Sequence, residues 1–61
     1  MTAEEKTAII TAIHMLRCNA SAIRFGVVAN KPDMVVDAVN DMDKTISELE
    51  KKFNRDQENT N

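Results

Sequence analysis

Two apolar stripes with the same spacing constrain the fold of this chain more than any other feature. Within residues 9–27 and 35–53 of the 61, apolar side chains recur in steps of 4-3-4-3-4. That spacing is typical of two helices that pack along one side of each. The first stripe is Ile9, Ile13, Leu16, Ala20, Ile23 and Val27, and the second is Val35, Val39, Met42, Ile46, Leu49 and Phe53.

Local signals give the limits of the two helices. Thr2 and Glu5 form a capping-box pattern, which predicts a helix start. Pro32 fits only the first turn of a new helix, and Asn30 suits a left-handed helix stop. We therefore predict one domain with a helix over about 3–28, a turn at 29–32, a helix over about 33–53 and a disordered tail at 54–61.

The register of the stripes predicts an antiparallel hairpin and an all-α fold. Facing positions have numbers that sum to 62, from Val27 with Val35 to Ile9 with Phe53. Two helices cannot close a hydrophobic core, so the hairpin needs a partner. A second face of the first helix is small and almost uncharged, and it predicts a homodimeric four-helix bundle in which a second copy covers it. This small-residue face is Ala8, Ala12, Met15, Asn19, Ala22, Gly26 and Ala29. The alternative is a plain exposed helix face.

Charge is unevenly distributed, although the net charge is only −2. Residues 6–31 contain four basic residues and no acidic ones, whereas residues 32–50 contain six acidic residues and one lysine. Either the two helices simply attract each other, or the first helix presents a basic surface.

Several function classes lack their sequence signals. The chain has no run of about 18 apolar residues, so the sequence predicts no membrane span. The acidic, polar start does not resemble a signal peptide. Cys18 is the only cysteine, so we expect a reducing, cytoplasmic setting. We predict no enzyme activity, metal or cofactor, since the chain has no Gly-rich phosphate loop, metal-ligand cluster or nucleophile–base pair.

The polar side chains of the first helix form a candidate RNA-binding surface, because cationic and stacking side chains can bind RNA by its backbone and bases. Arg17 could instead form ion pairs across the hairpin with Asp43 and Glu50, and Asn19 could pair with its mate in the dimer. His14 taken alone is more typical of a solvated or packing residue. The candidates along one side of the helix are Lys6, His14, Arg17, Ser21 and Arg24, with Cys18 and Phe25 next to them.

The beginning of the chain resembles the Rop (Rom) family of plasmid copy-number regulators. That family opens Met-Thr-x-x-Glu-Lys-Thr-Ala, and this chain has the same residue at all six specified positions: Met1, Thr2, Glu5, Lys6, Thr7 and Ala8. The tail FNRDQENTN is similar to the family ending, and the apolar stripes lie one position later than in the family.

The resemblance implies a homodimer of hairpins that stabilises a kissing complex between an antisense RNA and the primer-precursor RNA, which lowers plasmid copy number. The family's RNA-binding positions fall at Thr11, Met15, Asn19 and Gly26, of which Asn19 is a close substitute, and the family's first lysine falls near Ala3 and Glu4. The predicted RNA-binding residues are Lys6, Thr11, His14, Met15, Arg17, Asn19, Arg24 and Phe25. The alternative function is a small adaptor or inhibitor that binds a protein or an anionic ligand through the first helix.

Overall fold

The chain folds into two helices that pack side by side. The computed structural model describes the backbone of residues 1–59 and the side chains through Phe53. Helix α1 spans Ala3–Val28 and helix α2 spans Pro32–Asn59, and α2 packs back along α1 as the predicted antiparallel hairpin. The Cα atoms extend over 47 × 24 × 9 Å, so the hairpin is a single layer of helices.

A capping box begins α1, as the sequence predicts. The Thr2 amide donates a hydrogen bond to Glu5 Oε1 at 2.8 Å, and the Glu5 amide donates to Thr2 Oγ1 at 3.1 Å. These reciprocal bonds satisfy two amides that a helix start leaves without partners. The hydrogen bonds with Thr2 also lower the pKa of Glu5, because they favour its charged form.

A left-handed residue ends α1. Asn30 has a φ of 56°, as predicted for a helix stop. The Lys31 amide donates to the Gly26 carbonyl at 2.7 Å, and the Asn30 amide donates to the Val27 carbonyl at 3.2 Å. These two bonds define a Schellman motif, and Pro32 then begins α2 at a position where no amide hydrogen bond is lost.

The effect of a substitution at Asn30 on stability should depend on how well the new residue tolerates a positive φ. We expect Asn30→Gly to keep or raise stability by up to about 1 kcal/mol, since glycine has no Cβ to clash at positive φ. Asn30→Val should cost about 1–2 kcal/mol. Urea midpoints measure both changes. Asn40→Val is the control, because Asn40 is exposed within α2; an equal loss in that variant would attribute the effect to helix propensity rather than to the turn.

The limits of α1 are those predicted, whereas α2 is longer at both ends. It begins at Pro32, one residue earlier than expected, and continues to Asn59 instead of ending near Phe53. The tail prediction is therefore wrong for residues 54–59. This segment has no apolar periodicity, but it contains no glycine or proline, and adding a residue to an existing helix is easy. Residues 60–61 lie outside the described part of the chain.

Small side chains form the line of closest contact between the helices. Ala12 and Gly26 are buried on α1, with half-buried Asn19 between them, and they face buried Ala38 and Thr45 on α2. We call these five residues the contact line. A Cβ built on Gly26 would lie 2.7 Å from Val35 Cγ2, which shows how closely the backbones approach.

The contact line corrects the role predicted for the small-residue face. A second copy was expected to cover that face, but α2 of the same chain buries its centre at Ala12 and Gly26. Of this face only Met15 and Ala29 are exposed. The physical reason is that small residues allow two helices to approach more closely than large branched ones do.

The two apolar stripes consequently lie beside the contact line and are not fully buried. At about 100° per residue, each stripe is rotated by roughly 60–80° from the contact line, and both rotations point to the same side of the hairpin. Together the stripes form one surface, which we call the apolar face. Its inner residues, such as Leu16 and Met42, are half-buried, whereas its outer residues Ile13, Val39 and Ile46 are exposed.

Candidate nucleic-acid interface

Three cationic side chains follow one line along the outer edge of α1. Lys6, Arg17 and Arg24 are separated by 11 and 7 residues and are all exposed. At about 3.6 residues per turn these spacings return to nearly the same side of the helix, and the line is about 27 Å long. It borders the apolar face on the side of α1 that points away from α2. We call these residues the cationic line.

The acidic residues proposed as partners of Arg17 lie elsewhere in the hairpin. Helical geometry places Asp43 and Glu50 on the outer edge of α2, and both are exposed. The apolar face separates that edge from the cationic line by the width of both helices. The alternative in which Asp43 and Glu50 neutralise Arg17 within one chain therefore does not describe this hairpin.

An aromatic ring and a further lysine lie at the turn end of α1. Phe25 is exposed, and Lys31 Nζ lies over its ring, 6.0 Å from the ring centroid. Sequence reasoning included Phe25 but missed Lys31. The two are six residues apart, which is not a helical neighbour spacing, and only the Schellman motif brings them together. His14 is exposed farther along the helix.

Three of the residues carried over from the resemblance lie away from the cationic line. Met15 and Asn19 border a groove of about 480 Å³ between the helices, on the side opposite the apolar face. The same groove is also lined by Asp41, Glu48 and Lys44 of α2. These three residues contribute two carboxylates and one ammonium group to the lining. Thr11 is exposed on that same side of α1.

The eight predicted RNA-binding residues are thus divided between two surfaces. Lys6, Arg17, Arg24 and Phe25 lie along the outer side of α1, where no acidic residue occurs between positions 6 and 31. Thr11, Met15 and Asn19 belong to the opposite side, and His14 lies on the outer side but also reaches the groove. The first surface has the electrostatic character that a polyanion requires.

The described residues contain no group of three or more histidine, cysteine, aspartate or glutamate side chains placed to hold a metal ion. Neither α1 nor α2, over the residues described, has an apolar stretch long enough to cross a membrane.

Comparison of the chain with family models, with curated proteins and with solved structures finds no match. The similarity to Rop therefore rests on the residues of the chain itself.

Proposed function

We propose that the protein is a homodimeric four-helix bundle that binds RNA along its paired α1 helices. The observation that carries this proposal is the cationic line, which borders a half-exposed apolar face of the kind that a second copy covers. Lys6, Arg17 and Arg24 then lie next to the dimer junction. The proposal has two steps, dimerisation and RNA binding, and each has its own support.

The surface area of the hairpin supports dimerisation. The chain exposes 5106 Å², whereas a compact folded monomer of its 6.8 kDa mass exposes roughly 4,000 Å². The excess of roughly 1,000 Å² is comparable to the area of about 800 Å² that each partner buries in a standard interface. The apolar face is the surface that such an interface would bury, because in a four-helix bundle such faces point to the bundle centre.

The position of the cationic line supports RNA binding. If the apolar faces of two copies pack with α1 on α1 of the second copy, both cationic lines border the same junction and present six positive charges. Like charges at a junction repel each other, and a bound polyanion relieves that repulsion. The acidic edges of α2 gather on the opposite side of the bundle and leave the RNA surface free of carboxylates.

The resemblance in residues 1–8 narrows the RNA class. A Rop-like protein stabilises a kissing complex between an antisense RNA and the primer-precursor RNA and thereby lowers plasmid copy number. A straight line of cations about 27 Å long suits the backbones of two paired loops, since phosphate contacts position a protein without reading sequence. We therefore propose a kissing pair of stem-loops as the ligand.

Arg24→Gln should weaken binding to a kissing stem-loop pair, measured by fluorescence anisotropy at several salt concentrations. Each arginine that contacts phosphate releases counterions from the RNA. We expect the slope of log affinity against log salt to flatten by about one to two units for the two copies. Helicity and dimerisation should be unchanged, because an exposed arginine contributes little to folding.

Lys44→Gln is the matched control, because Lys44 is an exposed cation in the groove on the other side of the hairpin. It should leave affinity and salt slope unchanged. Equal effects of the two substitutions, or equal affinity for a kissing pair and a plain duplex, contradict the proposed RNA surface.

A second candidate, an adaptor that binds a protein through α1, is favoured by apolar side chains that a second copy would not cover. Ile10, Phe25 and Val28 are large, exposed and outside the apolar face. An apolar surface that stays exposed after dimerisation is typical of protein-binding sites. A wild-type protein that forms a dimer but does not bind RNA would favour the adaptor function.

A further inference from the structure

The turn end of the hairpin carries a cluster that the cationic line alone does not explain. Phe25 is 57% exposed and Val28, one helical turn later, is 82% exposed. Arg24 precedes the ring in the sequence, and Lys31 Nζ lies 6.0 Å from the ring centroid. We call Arg24, Phe25, Val28 and Lys31 the turn-end cluster.

The exposed apolar side chains of the turn-end cluster, Phe25 and Val28, are unfavourable in free energy as long as water surrounds them. Only two aromatic residues occur in the chain, and Phe25 is the one outside the apolar face. It contributes nothing to the contact line or to the apolar face, so folding and dimerisation do not account for it. An exposed apolar group of this kind marks a binding surface when charges around it fit a ligand.

The charges around the ring fit a nucleotide. Arg24 and Lys31 are both exposed, and they lie before and after the ring in a stretch without acidic residues. The first acidic residue that follows, Asp33, lies in the first turn of α2, where the helix dipole attracts its charge. An aromatic face stacks on any base, and cations beside it bind the phosphate that the base carries.

We propose that the turn-end cluster binds an unpaired RNA nucleotide, with its base stacked on Phe25 and its phosphate bound by Lys31. This inference rests on the proposed RNA binding and adds the nucleotide class that the site takes. In the absence of RNA, the Lys31 ammonium group lies over the ring as a cation–π partner. On binding, Lys31 exchanges the ring for the phosphate, and the base covers the ring and Val28.

The geometry of the turn allows the Lys31 ammonium group to move from the Phe25 ring to a phosphate. Its backbone is fixed, because its amide donates to the Gly26 carbonyl at 2.7 Å within the Schellman motif. Its side chain is exposed and extends toward the ring from a rigid base. A fixed backbone with a long flexible side chain allows the ammonium group to move between two partners several ångströms apart.

The test uses the full chain and two RNA ligands. One is a pair of stem-loops with fully complementary loops, and the other is the same pair with a single unpaired 2-aminopurine at the loop–stem junction. We expect the wild-type protein to bind the second pair more tightly and to change the 2-aminopurine fluorescence. Phe25→Ala should lose about 5- to 100-fold in affinity for that pair only, and Phe25→Trp should retain it.

Lys31→Gln should weaken the same complex and flatten its salt slope by about one unit, because the single unpaired nucleotide occupies one of the two clusters, whereas Phe25→Ala leaves the slope unchanged. Val36→Ala is the control, because Val36 is 56% exposed at the same end of the hairpin but on α2. Circular dichroism and sedimentation of each variant verify that folding and dimerisation are intact.

The outcomes separate the two proposals. If the wild type binds both RNA pairs equally and Phe25→Ala affects neither, the turn-end cluster has no nucleotide site while RNA binding stands. If the wild type binds neither pair, both proposals fail. If Phe25→Ala instead abolishes an association beyond the dimer, the cluster is a protein contact and the nucleotide site is overturned.

Discussion

Ile13→Asp should dissociate the proposed dimer and lower its helicity. Ile13 is 48% exposed in the hairpin and is one of the outer residues of the apolar face. A bundle would bury this position twice, so the substitution introduces two carboxylates without partners into an apolar core. Each should cost about 3 kcal/mol or more, about 6 kcal/mol for the two copies, which raises the dissociation constant by roughly 10,000-fold. Sedimentation equilibrium and circular dichroism at matched concentrations measure both effects.

Ile10→Asp is the matched control for this prediction. Ile10 is 55% exposed in the hairpin, a similar value, but it lies on the outer side of α1 away from the apolar face. An exposed substitution of this kind changes stability by at most about 0.5 kcal/mol. In a monomeric hairpin the two variants should behave alike, so equal and small effects would argue against the dimer. Loss of the dimer in Ile10→Asp alone would place the interface on the outer side of α1.

Gly26→Ala should destabilise the hairpin, although alanine is the better helix former. The exchange gains about 1 kcal/mol of helix propensity at most. The new Cβ, however, would meet Val35 Cγ2 at 2.7 Å, the Lys31 carbonyl oxygen at 3.2 Å and the Val35 amide nitrogen at 3.4 Å. Overpacking of this kind typically costs about 1–3 kcal/mol. The severe clash is with Cγ2 of Val35, a β-branched side chain with restricted rotation, and the Lys31 carbonyl oxygen is backbone that cannot rotate away. Urea denaturation should give a net loss of up to about 2 kcal/mol per chain, the cost of overpacking less the gain in helix propensity.

The double variant Gly26→Ala with Val35→Ala identifies the source of the loss. Val35→Ala removes the Cγ2 atom but also apolar surface, so alone it should destabilise the dimer. Relief of the clash should make the double variant more stable than the sum of the two single changes. Strict additivity would show that Gly26 and Val35 do not contact each other. A gain in stability from Gly26→Ala alone would mean that the helices are farther apart at the turn than the structure shows.

Most of the local structure could be predicted because its causes are local. The Thr2–Glu5 capping box, the left-handed Asn30 and the start of α2 near Pro32 depend on residues within four positions of each other. The end of α2 could not be placed, because no breaker residue follows Phe53 and a helix continues until something stops it. The candidate site was predicted in part: its cations share one helical line, but Lys31 reaches Phe25 only through the turn.

The all-α hairpin could be derived from the sequence, because the apolar spacing predicts two helices and the turn residues locate the bend between them. The predicted face-to-face pairing of the two stripes is corrected by the fold, since both stripes lie beside the contact line. Small residues at Ala12, Gly26 and Ala38 allow closer approach than the branched stripes beside them, so the helices contact along the small residues. Periodicity identifies the faces of a helix but not the distance at which its neighbour packs. Because the helices contact along the small residues, the apolar face stays partly exposed, and the cationic line borders that face.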